Sequence, residues 1–492
     1  MVIRKYYGVL NEGSKTIQII FAILINIPIF AYGTCIGWMS PMTLLLQSDK
    51  TPTEKPVTDF EISLMASICY LLSIPSDYLM AFLSDRFGRK FCLLFLSVTC
   101  AFSWILLLCT VNIHVMIFAR TMVGIIMGSG ITCPLYTKEI SDDTIRGALG
   151  CLVVLFQTSG NLFVYIIGDL LEYKTILWVC LSLPVFHILI FMMMPESPSY
   201  LVKHGNVEEA QKVIAWLKCR QPEDPIVVQA LDHIRKEQKT DEEGSQFLVK
   251  DIFMNKILFR AFCITLVVTL GREICGAITV LNFAGEIFSF ATNDQKSLLT
   301  PNQQAMILGA VQVAGALLAS GIVEKAGRKG LLFITSLISG LSMCALASWF
   351  LSKEMGIFTL TWLPVVTLCV CIFCDSLGLQ PISVVLTSEM FSYKYRGTVL
   401  AMTMSTSSIL CFVQLFFFKS IATTIGVHVA FYFFGLVCLS AALYVIIVVP
   451  ETKARSLEEI YEDLKTKKEK EMEQQVETKE KETAKENEVS TV

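Results

Sequence analysis

The chain has 492 residues, of which 54% are hydrophobic and 17% charged, with a mean hydropathy of +0.60 and a formal net charge of −3. Soluble domains carry roughly 25% charged residues, so this composition excludes an ordinary soluble domain and indicates a protein embedded in lipid. The basic residues lie in short loops and not on a face interleaved with aromatic residues, which argues against nucleic acid as a partner.

Apolar runs of about 20 residues recur along the chain, and a helix of that length crosses a hydrocarbon core of roughly 30 Å. They predict an all-α membrane protein with twelve transmembrane helices. The predicted spans lie near 16–37, 61–83, 91–111, 115–137, 145–168, 174–194, 259–290, 303–323, 331–350, 360–388, 398–418 and 425–449.

Lysine and arginine are sorted between alternate loops, and such a bias marks the cytoplasmic side of a membrane protein. The loops after spans 2, 4, 8 and 10 hold ten basic residues: Arg86, Arg89, Lys90, Lys138, Arg146, Lys325, Arg328, Lys329, Lys394 and Arg396. The opposite loops hold only Lys50, Lys55, Lys174, Lys296, Lys353 and Lys419. We therefore predict that the first set of loops and both termini are cytoplasmic.

The predicted spans divide the chain into two halves, 1–194 and 259–449, separated by a long loop at 195–258 and followed by a tail at 450–492. Within the loop, 207–217 and 226–238 have the pattern of amphipathic helices. The tail becomes a Lys/Glu run without an apolar stripe, which is typical of a solvated segment.

No catalytic constellation is visible in the sequence. The 17 cysteines fall almost entirely inside apolar runs, as buried free thiols do. No phosphate-binding loop and no nucleophile with a placed base occurs. Cys369, Cys371 and Cys374 resemble a metal-ligand spacing, but they lie in an apolar run without histidine partners and are interpreted as packing residues. We predict no enzymatic activity, no metal and no cofactor; the expected partners are the lipid bilayer and a small-molecule solute, and the oligomeric state stays open.

Three short charged motifs occur twice, about 250 residues apart. The first motif, Asp85-Arg86-Phe87-Gly88-Arg89-Lys90, corresponds to Glu324-Lys325-Ala326-Gly327-Arg328-Lys329. The second is a glutamate followed seven residues later by Arg-Gly, and the third is a Pro-Glu pair directly after spans 6 and 12. Such charges are either topogenic or form a network that strengthens when closure excludes water. The duplication favours a cytoplasmic gate built from Asp85, Arg86, Arg89, Glu139, Arg146, Glu196, Glu324, Arg328, Glu389, Arg396 and Glu451.

These motifs resemble those of the sugar porter family of the major facilitator superfamily, in particular the facilitated glucose and trehalose transporters of arthropods. The matching segments are 84–90, Arg120 with Gly124 and Gly128, 146–150, 195–201 and 450–453. The resemblance implies the major facilitator fold, with two pseudo-symmetric six-helix halves and alternating access to a central sugar site.

At that site the sequence departs from the family. The span 7 motif Gln-Gln-x-Ser-Gly-x-Asn corresponds here to Arg272-Glu273-Ile274-Cys275-Gly276-Ala277-Ile278. The span 5 glutamine corresponds to Val154, with Gln157 one turn on, and the span 8 asparagine to Gln312. The span 11 asparagine corresponds to Ser407, and Gly33 stands where family symporters have a proton-coupling aspartate.

Charges near the middle of the membrane are functional candidates, because an unpaired one costs at least about 2.5–3.5 kcal/mol. Arg272 and Asp375 both fall near mid-membrane, and we expect Arg272 to pair with Asp375 or Glu273. The alternative is an ion pair with a purely structural role. The full predicted substrate-binding set is Arg120, Gln157, Arg272, Glu273, Gln312, Asp375 and Ser407.

The sequence thus predicts a plasma-membrane carrier of a sugar, hexose or trehalose-like, or of a related small polar solute, by facilitative alternating access. Two alternatives stay open. Arg272 and Glu273 would suit a carrier of a charged organic solute, and the charged tail would suit a transport-deficient sugar sensor.

Overall fold

The computed structural model describes residues 13–242, 248–292, 299–357, 360–453 and 455–465. Six spans make the N-terminal half: span 1 (Thr16–Gly37 and Met39–Leu46), span 2 (Asp59–Phe87), span 3 (Arg89–Cys109), span 4 (Ile113–Ile126 and Ser129–Ile140), span 5 (Asp143–Gly150 and Leu152–Leu170) and span 6 (Tyr173–Phe191). Six make the C-terminal half: span 7 (Lys256–Ile274 and Ala277–Thr292), span 8 (Pro301–Ala326), span 9 (Arg328–Glu354), span 10 (Leu363–Cys374, Asp375–Leu379 and Gln380–Met390), span 11 (Tyr393–Thr424) and span 12 (Val427–Ile447).

Each predicted span corresponds to helix in the structure, with ends that differ by a few residues. By length and composition, eleven segments of the described chain can cross a membrane. Span 8 is the remaining one of the twelve, and its helix is 26 residues long. The assignment of Lys419 to a loop was wrong, because this residue lies inside the helix of span 11, where it is buried.

Spans 2 and 8 begin and end in the same way, which shows the duplication in the backbone. Each begins with a capping box, Thr58 with Glu61 in span 2 and Thr300 with Gln303 in span 8. Each ends at a glycine with positive φ, +97° at one and +82° at the other, where the chain turns directly into spans 3 and 9.

The two halves pack against each other mainly through spans 2 and 11 and through spans 5 and 8. Span 2 corresponds to span 8 and span 5 to span 11, so the symmetry that relates the halves converts one pair into the other. We call the end of the bundle with Arg89 and Arg328 the latch side, and the opposite end the far side. Lys419 and the start of span 2 lie at the far side.

Spans 7 and 10 are interrupted near mid-membrane, next to the predicted charges. Span 7 unwinds at Gly276, whose φ is +90° and whose α-carbon faces the ring of Phe434 so closely that an added Cβ would lie 2.5 Å from it. Span 10 contains a five-residue π-helical turn that starts at Asp375. Such interruptions free backbone groups and re-aim side chains, and they cluster at functional positions.

The segment between the halves is helical at Pro198–Lys203, Val207–Leu217, Pro225–Glu242 and Leu248–Met254. The amphipathic pattern at 207–217 was therefore correct, and the one at 226–238 lies inside a longer helix. Beyond span 12 the helix Leu457–Leu464 packs against the C-terminal half. The Lys/Glu run at 466–492 lies outside the described residues.

Candidate functional site

The duplicated motifs form two matching ionic networks at the latch side. In the first half Arg89 donates to both carboxylate oxygens of Glu139, from Nη2 to Oε1 at 2.8 Å and from Nε to Oε2 at 3.0 Å. In the second half Arg328 donates to Glu389, from Nη2 to Oε1 at 2.7 Å and from Nε to Oε1 at 3.1 Å. This side-on geometry is the strong form of a carboxylate–guanidinium pair.

A hydroxyl completes each network. Ser197 Oγ donates to Glu139 Oε2, and at the equivalent place Thr452 Oγ1 donates to Glu389 Oε2. The Pro-Glu-Ser and Pro-Glu-Thr motifs therefore contribute through the residue after the glutamate. The serine and threonine tie the segments that follow spans 6 and 12 to spans 4 and 10.

Glu196 and Glu451 bind backbone amides, not guanidinium groups. Glu196 accepts from the N–H of Arg89 at 3.0 Å and of Lys90 at 3.1 Å, and Glu451 from Arg328 at 3.0 Å and Lys329 at 3.2 Å. These are the unpaired amides at the start of spans 3 and 9, where the helix dipole favours an anion. The preceding glycines admit the carboxylates, since a Cβ on Gly88 would lie 2.3 Å from Glu196.

The other predicted gate residues lie at the edge of these networks. Asp85 pairs with Arg89 at 3.3 Å and with Lys203 at 3.6 Å, and the Arg86 guanidinium lies over the rings of Phe82 and Phe87. Arg146 Nη2 donates to the Ser141 carbonyl at 3.2 Å and Arg396 Nη2 to the Phe391 carbonyl at 3.4 Å. The side chain of Glu324 lies outside those that the structure describes.

Each latch network joins helices of one half. Arg89, Glu139 and Glu196 all belong to the first half, and Arg328, Glu389 and Glu451 to the second. These contacts hold spans 3, 4 and 6, and their counterparts, as rigid groups at the latch side. Any gating by the networks would therefore act through the shape of each half.

The mid-membrane charges form a cluster inside the C-terminal half. Arg272 Nε donates to Asp375 Oδ1 at 3.3 Å, and its Nη1 donates to the neighbouring Glu273. Cys411 of span 11 lies 3.3 Å from the second oxygen of Glu273. One guanidinium thus serves two buried carboxylates, contributed by the interrupted parts of spans 7 and 10.

A small cavity lies beside this cluster, between spans 7, 9, 10 and 12. Its wall is mostly apolar, with Val268, Leu332 and Val445 among its lining, which also includes Arg272. Because all four helices belong to one half, a solute that passes between the halves would not cross this cavity.

Neutral amides meet at the boundary between the halves. Asn161 Nδ2 of span 5 donates to Gln312 Oε1 of span 8 at 3.3 Å, and both side chains are buried. On the C-terminal side Gln414 Nε2 of span 11 donates to Thr279 Oγ1 of span 7 at 2.7 Å. Within the described structure Asn161 Oδ1 and Gln414 Oε1 have no hydrogen-bond partner although both are buried.

Comparison with known proteins identifies the family. The model of the family described as "Sugar (and other) transporter" matches residues 21–464. The chain belongs to this sugar transporter family.

Among its relatives, the Facilitated trehalose transporter Tret1 of Culex quinquefasciatus is 26% identical over 90% of this chain and 85% of its own length. The Tret1 of Bombyx mori is 27% identical over 90% of this chain and 86% of its own length. Others are longer: the chain covers 54% of the Aedes aegypti Tret1. The inward-open xylose transporter XylE from E. coli shares the fold, with a TM-score of 0.73 at 18% identity over 91% of this chain and all of that one.

The structure places the predicted substrate-binding residues of this family member in separate positions. Arg272, Glu273 and Asp375 form the charged cluster, whereas Gln312 lies at the boundary between the halves. Arg120 is enclosed in the N-terminal half, where it donates to the carbonyls of Cys35 and Met65.

The last two predicted positions lie on helices that reach the boundary. Gln157 of span 5 is half-buried one turn before Asn161, and Ser407 of span 11 is buried one turn before Cys411. Gln157 is thus close to Asn161, which contacts Gln312, and Ser407 is close to Cys411, which contacts Glu273.

Sequence reasoning missed two amides, Asn161 at the boundary and Gln414 of span 11. Both differ from the positions at which the family motif predicts amides, so alignment on the motif passed over them. The signal was available in the helical period: Asn161 is one turn beyond Gln157, and Gln414 is two turns beyond Ser407.

The two amide-bound glutamates of the latch side differ in their electrostatics, although their contacts match. Burial raises the pKa of the Glu196 carboxyl above its ordinary value, against the effect of the surrounding N–H groups. Burial acts in the same direction at Glu451, but the N–H groups of Lys453, Arg328, Lys329 and Thr452 outweigh it and lower that pKa.

We therefore expect E451Q to lower the free energy of unfolding more than E196Q does at neutral pH. The difference should be about 1 kcal/mol, because the hydrogen bonds that the charged Glu451 carboxylate accepts are partly exposed to solvent. A lowered pKa means that the Glu451 carboxylate contributes stability above the ordinary pKa and loses it as pH falls through the lowered value. Thermal unfolding of both purified variants from neutral to acidic pH measures this. Equal losses at neutral pH, or an E451Q effect that grows in acid, would contradict the assignment.

Proposed function

We propose that this protein carries a sugar, or a related small polar solute, across the plasma membrane by alternating access and without ion coupling. The observation that carries the proposal is the amide pair Asn161–Gln312, which joins the two halves at the middle of the bundle. An amide offers both donors and acceptors, as a sugar hydroxyl needs. The printed names of the relatives, trehalose transporters, support a sugar as the solute.

The facilitative mechanism is proposed from one position. Gly33 stands where symporters of the family have their coupling aspartate, and it packs against the Gln157 backbone so closely that a Cβ would lie 2.2 Å from the carbonyl oxygen. A carboxylate does not fit there without movement of span 1 or span 5. The latch side is proposed to face the cytoplasm, with both termini, from the distribution of lysine and arginine.

A second candidate, transport of a charged organic solute, is favoured by the cluster of Arg272, Glu273 and Asp375. Its two carboxylates and single guanidinium leave a net charge of −1 if all are ionised. The cluster is closed on itself by two ion pairs, however, whereas Asn161 keeps an unused acceptor at the boundary. The neutral solute is therefore the better match.

The proposal is tested by uptake assays in oocytes that express the full chain, with radiolabelled trehalose, glucose and a panel of organic ions. We expect saturable sugar uptake, with KM raised about 2- to 10-fold in N161A and in Q312A, since each removes a hydrogen bond worth about 0.5–1.5 kcal/mol. N206A, which changes an exposed amide in the loop between the halves, is the control and should transport normally.

Three outcomes would redirect the proposal. Flux of ions without sugar would favour the charged-solute carrier, and no flux of any probe by protein at the cell surface would favour the sugar sensor. Sugar uptake that N161A and Q312A leave unchanged would place the solute elsewhere.

A further inference from the structure

A buried lysine connects the two halves at the far side of the bundle. The side chain of Lys419, near the end of span 11, is 2% exposed. Its ammonium lies 2.8 Å from Glu286 Oε1, 2.6 Å from Gln47 Oε1 and 3.2 Å from Asp59 Oδ1. A lysine buried to this degree must keep a partner, because an isolated buried charge costs several kcal/mol.

The partners of Lys419 divide between the halves. Glu286 lies on span 7, in the same half as Lys419, while Gln47 directly follows span 1 and Asp59 starts span 2 in the other half. Further bonds between the halves surround this contact: Ser40 Oγ accepts from the Gly285 N–H at 3.0 Å, and Tyr165 OH donates to the Leu281 carbonyl at 2.6 Å. The far side is thus closed by polar contacts across the boundary, unlike the latch networks, which stay within one half.

We propose that Lys419 is the locking residue of a gate at the far side, with Glu286 as its permanent partner and Asp59 and Gln47 as partners that it releases when the gate opens. This inference rests on the alternating access of the proposed function. Its physical basis is charge balance. When the halves separate, Lys419 and Glu286 move together as a neutral pair. The separated C-terminal half therefore does not keep an unpaired charge at this position.

In this proposal, the free energy of opening includes the loss of the contacts that Lys419 makes with Asp59 and Gln47. The Asp59 side chain is 52% exposed, so its pair with Lys419 is screened and worth little, whereas removal of the lysine removes its contacts with both Asp59 and Gln47 at once. Opening should therefore become easier in D59N and in Q47A, and easier still in K419Q. K419R retains the charge and should keep the gate closed.

Accessibility of a buried residue beside the gate measures opening directly. Thr43 of span 1 is fully buried, and its hydroxyl donates to the carbonyl of Met39 in its own helix. The full chain with T43C is reconstituted in nanodiscs and treated with a water-soluble maleimide, and the labelling rate at position 43 is read by peptide mass spectrometry. We expect the rate to rise about 2- to 5-fold in D59N and at least about 10-fold in K419Q.

The double variant D59N/K419Q decides whether the two residues act on each other. It should be labelled no faster than K419Q, because the described polar contact of Asp59 with the other half is its pair with the lysine, and its second partner, Gln47, belongs to its own half. K353Q is the matched control: Lys353 is also at the far side, and its ammonium binds the carbonyls of Phe290 and Ala291 in its own half. It should leave the rate unchanged.

The gate is overturned if D59N and K419Q are labelled at the wild-type rate, or if their effects add independently. Should K419Q fail to fold, D59N and Q47A carry the test alone, since their side chains are partly exposed. Labelling needs no solute, so the two proposals fail separately. An absence of sugar uptake would contradict the proposed function without changing the labelling result. Unchanged labelling would contradict the gate even if sugar uptake is observed.

Discussion

R272Q should be severely destabilised, with a loss of about 3–5 kcal/mol in the free energy of unfolding. Arg272 is the described cation that contacts Glu273 and Asp375, and both carboxylates are buried. Glutamine can donate a hydrogen bond but carries no charge, so the variant leaves two carboxylates in a low-dielectric environment. We expect little folded protein in detergent and little at the cell surface.

The triple variant R272Q/E273Q/D375N separates the charge effect from loss of shape. It removes all three charges together and keeps groups of similar size, so most of the lost stability should return, because replacing a whole buried ion cluster is often neutral. It also puts two glutamines where the family motif has them. If the cluster blocks a sugar site, sugar uptake by the triple variant should exceed that of the wild type.

Thermal unfolding monitored by fluorescence, with sugar uptake on the same variants, measures both effects. R235Q is the control, since Arg235 pairs with Asp232 on an exposed helix and its loss should change stability by less than about 1 kcal/mol. An R272Q protein as stable as R235Q would show that the cluster is hydrated. A triple variant as unstable as R272Q would show that the site depends on the charges themselves.

The sequence was sufficient for the fold because the fold depends on patterns that repeat. Long apolar runs and the duplicated Gly88-Arg89 and Gly327-Arg328 motifs defined the spans and the relation between the halves. The pairing of Arg272 with Asp375 could also be expected, because an unpaired charge at that depth is too costly. Each of these inferences uses a local rule or a strong energetic penalty.

The contacts between the halves could not be predicted in the same way. Lys419 resembles a loop charge in the sequence, and its partners Gln47 and Asp59 are 372 and 360 residues away along the chain. Asn161 is one of several polar residues of span 5, and only the packing of span 5 against span 8 shows that it meets Gln312 across the boundary. Such contacts depend on tertiary packing, which no local pattern specifies.

The latch networks also show how burial separates two copies of one motif. The side chains of Arg89 and Glu139 are 7% and 10% exposed, whereas those of Arg328 and Glu389 are 15% and 25% exposed. The hydrogen-bond geometry is nearly the same in both. The energetic effect of breaking each pair should therefore differ because of solvent, not because of contacts.

We expect R89Q to lose about 2–4 kcal/mol of unfolding free energy and R328Q about 1–2 kcal/mol, because the less exposed partner glutamate is more costly to leave without its cation. Thermal unfolding of the two purified variants, each beside its rescue variant R89Q/E139Q or R328Q/E389Q, measures the difference. Removing both charges of a pair should recover more stability in the N-terminal half than in the C-terminal half. Equal losses in R89Q and R328Q would show that water reaches both networks alike, and a larger loss in R328Q would mean that the C-terminal network carries more of the structure despite its exposure.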